Sequence, residues 1–215
     1  MARKSSTKVS RAVIKRLPRY RRYLKELSKR GVEKISSSEL SKLIGYTPSQ
    51  IRQDLNNFGG FGQQGYGYNV KTLADEIGTI LGLDRTYNMV IVGAGNLGHA
   101  IANYNFYYKS GFRVIGVFDK NPKLIGEKMG DATIYSTDSL VEFVDRENVD
   151  IGIICVPREN AQEVCDKLCF AGVKGIWNFA PIDLEVPPHV SIQSVALSDK
   201  LYALAYHMSE ENKKK

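Results

Sequence analysis

The sequence predicts an α/β chain in two parts, a small basic helical head followed by a parallel-sheet domain. Three observations carry this reading. Residues 1–84 hold 16 Lys and Arg against 7 Asp and Glu, a balance of +9, whereas residues 85–215 balance at −2. The apolar spacing is helical up to about Leu81 and changes after Asn88 to short continuous runs separated by helical stretches. One of those runs leads straight into a glycine-rich turn, Gly93-Ala94-Gly95-Asn96-Leu97-Gly98.

Composition narrows the classes first. With 215 residues, 43% of them hydrophobic and 10% aromatic, the chain can bury a core and is not disordered throughout. No apolar run reaches the roughly 18–20 residues of a membrane span, and no basic-then-apolar leader opens the sequence, so no membrane partner is expected. Three cysteines without framework spacing point to a reducing, cytoplasmic setting. The basic excess of the head is the footprint of a polyanionic partner.

The first helical pattern runs from Ser10 to Arg30, with Leu17, Tyr20, Leu24 and Leu27 on one face and Gly31 placed to end it. Pro18 predicts a kink there, or a true start near Arg16–Pro18. Arg16, Arg19, Arg21, Arg22 and Lys25 form the opposite, basic face. Ser36 and Glu39 then make a capping box that opens a short helix through Leu40, Leu43 and Ile44. After Gly45-Tyr46, Thr47 is placed as N-cap, Pro48 at the first helical position and Gln50 as the partner in a second box. That second helix extends through Ile51 and Leu55 to about Asn57. Two short helices joined by a glycine turn predict a helix-turn-helix.

In that motif the start of the second helix enters the major groove. Ser49, Gln50, Arg52 and Gln53 point outward, and Ile51 and Leu55 inward. Arg and Gln carry the forked groups that match guanine and adenine edges, whereas Asp54 pairs locally. Phe58 to Tyr68 alternates glycine with aromatic residues, which predicts a hairpin and makes the head a winged helix. The DNA-facing candidates are Arg16, Tyr46, Thr47, Ser49, Gln50, Arg52 and Gln53, with Gly60, Gln63 and Gln64 in the wing. Val70 to Leu81 supplies one further amphipathic helix, and Gly82-Leu83-Asp84 begins the link.

Beyond the link, apolar runs at Met89–Val92, Val114–Phe118, Ile151–Val156, Gly175–Phe179 and Val190–Val195 read as buried strands. Helical patterns at Ser139–Arg146 and Asn160–Ala171 lie between them, which predicts a parallel sheet with right-handed crossovers. The glycine turn follows a strand, opens a helix, and is answered by Asp119 at the tip of the next strand, 21 positions past Gly98. That is the dinucleotide fingerprint of a Rossmann domain. Gly93 makes the tight turn, Gly95 admits the pyrophosphate and Gly98 lets helix and strand close together. Asp119 accepts the adenosine ribose hydroxyls and favours NAD(H) over its 2′-phosphorylated form, with Lys120 beside it. Tyr104, in the helix that follows, is a candidate pocket or core residue.

Hydride-transfer enzymes place an acid or base beside the nicotinamide. His99, His189 and His207 form no such constellation, and too little chain follows Phe179 for a substrate domain, so no catalytic residue is assigned. Cys165 and Cys169 share a helix face without a third metal ligand, and no metal site is expected. Cys155, at a strand end, is the better of the thiols for a redox role. The expected chain therefore reads DNA and senses a dinucleotide.

These residues resemble the Rex family of redox-sensing transcriptional repressors. The resemblance is carried by Arg16-Leu17-Pro18 with Tyr20, Ser49 to Leu55, Phe58-Gly59 and Gly65-Tyr66-Gly67-Tyr68. It continues in Val92 to Gly98, Phe118-Asp119, Val156-Pro157-Arg158-Glu159 and Asn178-Phe179-Ala180-Pro181. It implies a homodimer on an inverted-repeat operator, bound when free or NAD⁺-loaded and released by NADH, with fermentation and respiration genes as targets. It implies three segments: a winged-helix domain at 1–84, a Rossmann domain at 85–196, and a C-terminal helix and tail at 197–215. That helix, about Ser198–Met208, would be swapped onto the partner subunit through Leu201, Leu204, Ala205 and Met208.

The resemblance also assigns NAD(H) as a sensed ligand, held by Gly93, Ala94, Gly95, Asn96, Leu97, Gly98, Asp119 and Lys120. The nicotinamide surroundings would be Tyr104, Val156, Pro157, Asn178, Phe179, Ala180 and Pro181. The family's interdomain switch maps to Arg22 and Tyr104, but its aspartate position reads Ala196, and Gln64 replaces a basic wing residue of some relatives. Two other readings stay open: a small NAD-dependent oxidoreductase with a basic oligomerisation arm, and an interaction module of the CoA-binding kind.

Overall fold

The computed structural model describes residues 9–58, 62–63, 67–104 and 110–212, and the chain divides into two compact units after Arg85. In the first unit, α1 (Arg11–Lys29) begins where the Ser10 hydroxyl accepts the Val13 amide, not near Pro18. It runs continuously through Pro18. One missing backbone hydrogen bond does not stop it, because Val13, Leu17, Tyr20 and Leu24 on either side of the proline are all buried on one face.

The capping box at Ser36 and Glu39 forms, opening α2 (Ser37–Ile44), and Gly45 closes it in the left-handed conformation at φ 73°. The second helix, α3 (Pro48–Asn56), is capped by Thr47, but its expected second box does not close. The Gln50 side chain turns to Asp54 instead, where a carboxylate is a stronger acceptor partner. Strand β1 (Lys34–Ile35) and the hairpin strands β2 (Gly62–Gln63) and β3 (Gly67–Asn69) make a small antiparallel sheet in the order β1-β3-β2. This is the wing. Gly67 is required there, since a Cβ would stand 2.7 Å from the Ile35 carbonyl oxygen at a φ of +71°. Helix α4 (Val70–Ile80) completes the core with Leu73, Ala74 and Ile77.

The second unit is a seven-stranded sheet. Its strands are β4 (Tyr87–Val92), β5 (Phe112–Asp119), β6 (Lys128–Met129), β7 (Ala132–Ser136), β8 (Ile151–Ile154), β9 (Gly175–Asn178) and β10 (Ser191–Ser194), in the order β10-β9-β8-β4-β5-β7-β6. All pairs are parallel except β6 with β7. The β6–β7 pair was not legible in the sequence, because Ala132-Thr133-Ile134-Tyr135-Ser136 is short and buries only Ala132 and Ile134 fully. Helices α5 (Asn96–Ala102), α6 (Leu140–Arg146) and α7 (Arg158–Phe170) follow β4, β7 and β8. One face buries Phe118, Phe143, Leu168 and Ile176; the other buries Ile91, Val117, Ile134 and Ile153.

From β4 the chain proceeds through β5 and β7 on one side, then returns to β8 on the other. The ends of β4, β5 and β8 therefore flank a topological switch point, where open sheets leave a crevice. The last helix, α8 (Leu197–Asn212), differs from the rest: Leu197, Leu201, Tyr202, Leu204, Tyr206 and Met208 are each more than half exposed.

Candidate functional site

The crevice is a cavity of about 520 Å³ at the ends of β4, β5 and β8. The three glycines of its floor have distinct causes. Gly93 sits at φ +106°, and a Cβ there would lie 2.4 Å from the Cys155 carbonyl oxygen. A Cβ on Gly98 would lie 2.0 Å from the Gly93 carbonyl oxygen, so α5 and the turn touch only because position 98 is bare. Gly95 is the opposite case: a Cβ there meets nothing within 4 Å, because it would project into open space. Two glycines build the turn and one keeps its mouth clear.

Asp119 is tied to that turn. Its Oδ2 accepts the Ala94 amide at 2.7 Å and its Oδ1 the Asn121 amide at 2.8 Å. An ionised carboxylate offers about four acceptor positions, so two remain for ligand hydroxyls. Gly93, Gly95, Asn96, Leu97, Asp119, Lys120, Val156 and Pro157 all line the cavity. Ala94 is buried and contributes its backbone to Asp119; Gly98 packs beneath.

Of the residues expected around the nicotinamide, Val156 and Pro157 line the cavity. Tyr104, Asn178, Phe179, Ala180 and Pro181 are not among the lining residues. Tyr104 lies beyond the end of α5, which closes at Asn103 through the His99 carbonyl, and it is exposed. Asn178 is fully buried, with Nδ2 donating to the carbonyls of Ile182 (2.8 Å) and Ala180 (3.3 Å) and Oδ1 accepting the Ala180 amide (2.9 Å). Its amide shapes the 178–182 loop and also reaches Ser194 Oγ on β10 at 3.4 Å. The sequence reading missed the far wall, made by Thr137, Leu140, Asn160, Glu163, Val164 and Lys167. The last four of these recur at three- and four-residue steps along α7, a signal that was present in the spacing.

Cys155 also lines the cavity, but burial pushes its thiol up to about 12. Burial, then the neighbouring Cys169 thiol, brings Cys165 to about 12 as well. Thiolates are the reactive species, so alkylation of both by iodoacetamide at pH 7 is expected to be far slower than for a free cysteine. Rapid labelling of Cys155, followed by mass spectrometry, would contradict this. Among the described residues no group of His, Cys, Asp and Glu could hold a metal ion, and no helix is long and apolar enough to cross a membrane.

In the first unit, Ser49, Arg52 and Gln53 are exposed on α3, while Ile51 and Leu55 are buried, as the helix-turn-helix register requires. Thr47 is exposed but its hydroxyl accepts the Gln50 amide at 3.1 Å. Arg52 Nη1 donates to Ser37 Oγ at 2.9 Å, which ties the recognition helix to α2. Tyr46, in the turn, packs edge-on against Tyr20 with the Arg19 guanidinium 5.3 Å from its ring. Arg16 is corrected most: it does not stand on a free basic face but grips Asp54 with Nε and Nη2, at 2.6 and 2.7 Å. Gln63 lies in β2, and Gly60 and Gln64 fall outside the described residues. Arg22 is exposed on α1, its guanidinium 5.5 Å from the Tyr23 ring, and Ala196 is exposed ahead of α8.

A winged helix followed by a Rossmann domain with an open dinucleotide crevice defines a transcription regulator that carries a nucleotide-sensing module. The family model described as a putative DNA-binding protein N-terminus matches residues 8–56, and that described as a CoA binding domain matches residues 84–182. The redox-sensing transcriptional repressor Rex of Thermoanaerobacter pseudethanolicus is 58% identical over 205 residues, covering 95% of this chain and 92% of the relative. That of Clostridioides difficile is 56% identical over 202 residues, covering 94% and 96%. The crystal structure of RSP in complex with beta-NAD⁺ and operator DNA superposes with a TM-score of 0.92 at 57% identity, covering 96% of this chain and 95% of that one. RSP in complex with beta-NADH gives 0.88 at 54%, covering 96% and 97%. The chain belongs to the Rex family of redox-sensing transcriptional repressors.

Proposed function

We propose that this chain is a cytoplasmic repressor that holds an inverted-repeat operator as a homodimer when free or NAD⁺-bound, and releases it when NADH binds. One observation carries the reading: a helix-turn-helix and a glycine cradle left open at Gly95 stand in one chain, among relatives named as redox-sensing repressors. The residues present fit a dinucleotide. The space a Cβ at Gly95 would fill admits the pyrophosphate, the amides at the start of α5 face it, and the free acceptor positions of Asp119 suit ribose hydroxyls. When bound, the dinucleotide supplies a nicotinamide that is planar and cationic when oxidised, puckered and neutral when reduced. It acts as a sensed ligand and not as a catalytic cofactor.

The apolar stripe of α8, exposed on the single chain, is the surface for the partner subunit, in the swapped arrangement expected above. The dimer sets the spacing of two α3 helices, which must match half-sites whole helical turns apart. NADH closes the dimer and spoils that match. With Ala196 in place of the family's aspartate, the switch uses Arg22 and Tyr104 with other contacts. The coupling is reciprocal: a hundredfold loss of operator affinity with NADH means about 2.7 kcal/mol, and operator DNA must weaken NADH by the same factor. Titrating NADH into the protein–operator complex tests this; unchanged operator affinity with NADH bound would refute it.

Arg52→Ala is expected to cost about 1–3 kcal/mol of operator affinity and to relax one base position, read by competition among operator variants. Uniform weakening over all sequences would make Arg52 a phosphate contact. The match of residues 84–182 to the CoA binding domain description keeps a second ligand in view. Competition of CoA against NADH for the crevice separates the two.

A further inference from the structure

We propose that Asp54 is a positioning residue for base recognition: it fixes the Gln50 amide as a fork that reads adenine. The inference rests on the DNA-binding role proposed above and goes beyond it. Asp54 is 1% exposed, and its carboxylate takes four hydrogen bonds. Arg16 gives two, Tyr20 gives one to Oδ2 at 2.6 Å, and Gln50 Nε2 gives one to Oδ1 at 2.9 Å. All four acceptor positions are filled from within the first unit, so Asp54 has none left for a base.

Its effect is on Gln50. A carboxylate only accepts, so the amide nitrogen of Gln50 must face Asp54 and the oxygen must face away. A free glutamine turns its amide over and meets donors and acceptors alike. This one is held in one sense, with Oε1 and the second N–H remaining as an adjacent acceptor and donor. The major-groove edge of adenine, N6–H₂ beside N7, is the complement of that pair. Gln50 stands in the first turn of α3, the part of a recognition helix that meets base edges. Asp54 itself cannot swing, because Arg16 holds both of its oxygens from α1. The carboxylate thus sets the reading sense of a side chain one turn back on the same helix.

The test reads base preference, which a general weakening of the helix would leave flat. Operator duplexes, recovered by selection from random DNA, are varied to all four base pairs at each half-site position and titrated with the full-length protein. Gln50→Ala marks the position that Gln50 reads, as the one where preference collapses. There the wild type is expected to favour adenine about tenfold or more, and to lose about tenfold when 7-deazaadenine or purine replaces it.

Asp54→Asn puts an N–H donor within reach of Gln50 and frees its amide to turn, so adenine preference is expected to fall below about threefold. Arg16→Lys keeps the carboxylate and is expected to weaken all duplexes evenly with the preference kept. Should Asp54→Asn not fold, the modified bases with wild-type protein decide alone. Another preferred base, indifference to both modified bases, or an even loss in Asp54→Asn overturns the proposal while NADH-sensitive operator binding survives. Absence of binding to any duplex overturns both readings.

Discussion

Gly95→Val is expected to leave the protein folded and on its operator, but deaf to NADH. The position has ordinary extended geometry, φ −76° and ψ −174°, so a β-branched residue is not strained there. Its Cβ meets no protein atom within 4 Å, so nothing in the fold is displaced. What the side chain fills is the approach to the amides at the start of α5. Since backbone approach is the means of holding a pyrophosphate, NADH affinity is expected to fall at least about a hundredfold, near 2.7 kcal/mol. Thermal stability without ligand should stay within about 1 kcal/mol of wild type.

Gly98→Ala is the contrast. Its added methyl would stand 2.0 Å from the Gly93 carbonyl oxygen, a backbone atom that cannot swing aside. A loss of stability of about 3 kcal/mol or more is expected, with NADH binding lost because the turn itself is displaced. Calorimetric binding and denaturant melts on the two variants decide. Tight NADH binding by Gly95→Val would remove the crevice from the reading altogether.

Asp54→Ala should unfold the first unit more readily than any surface change. It leaves Arg16, Tyr20 and Gln50 facing a hole where a buried carboxylate stood, and breaking one member of such a pair costs about 3–5 kcal/mol. Arg16 keeps some contact with solvent, its side chain being 21% exposed, which places the loss near the lower end. Hydrogen exchange of α3 amides in the full chain reports it locally. Replacing Arg16 and Asp54 together, by Met and Leu, is expected to recover part of the loss, because no charge is then left unmatched.

The same cluster sets a pH dependence from both sides. Burial works against ionisation of Asp54, but the hydrogen bonds from Arg16, Tyr20 and Gln50 outweigh it and hold the carboxyl below its ordinary range. Its contribution is therefore present above about pH 4 and lost as pH falls below. Burial first, and then the hydrogen bond to Asp54, push the Tyr20 hydroxyl well above its ordinary value. That contribution is complete below about pH 10 and is lost as pH climbs beyond it. Tyr20→Phe should remove the alkaline limb and keep the acid one. An alkaline limb of unchanged size would assign it to another group.

The amino-acid sequence by itself determined most of the elements and the backbone geometry of the turn. Cap residues and close-packed glycines act over a few positions, so Ser36 with Glu39, Thr47 before Pro48, the tight turn at Gly93 and the close helix–turn approach at Gly98 read correctly without tertiary information. The change of apolar period placed β4, β5, β8 and β9 for the same local reason.

Only the tertiary structure decided where polar side chains spend their hydrogen bonds. Arg16 and Gln50 look like free DNA contacts along the chain, yet both are bound to Asp54, and for Arg16 that partner is 38 residues away. The Asn178 side chain bonds to its own loop and to Ser194 on β10. The wall from α7 joined the crevice only because β8 lies beside β4 in the sheet. Periodicity reports which face of an element is buried, but not which acceptor a distant donor will find. That pairing exists only once the helices have packed and the buried groups must satisfy one another away from water.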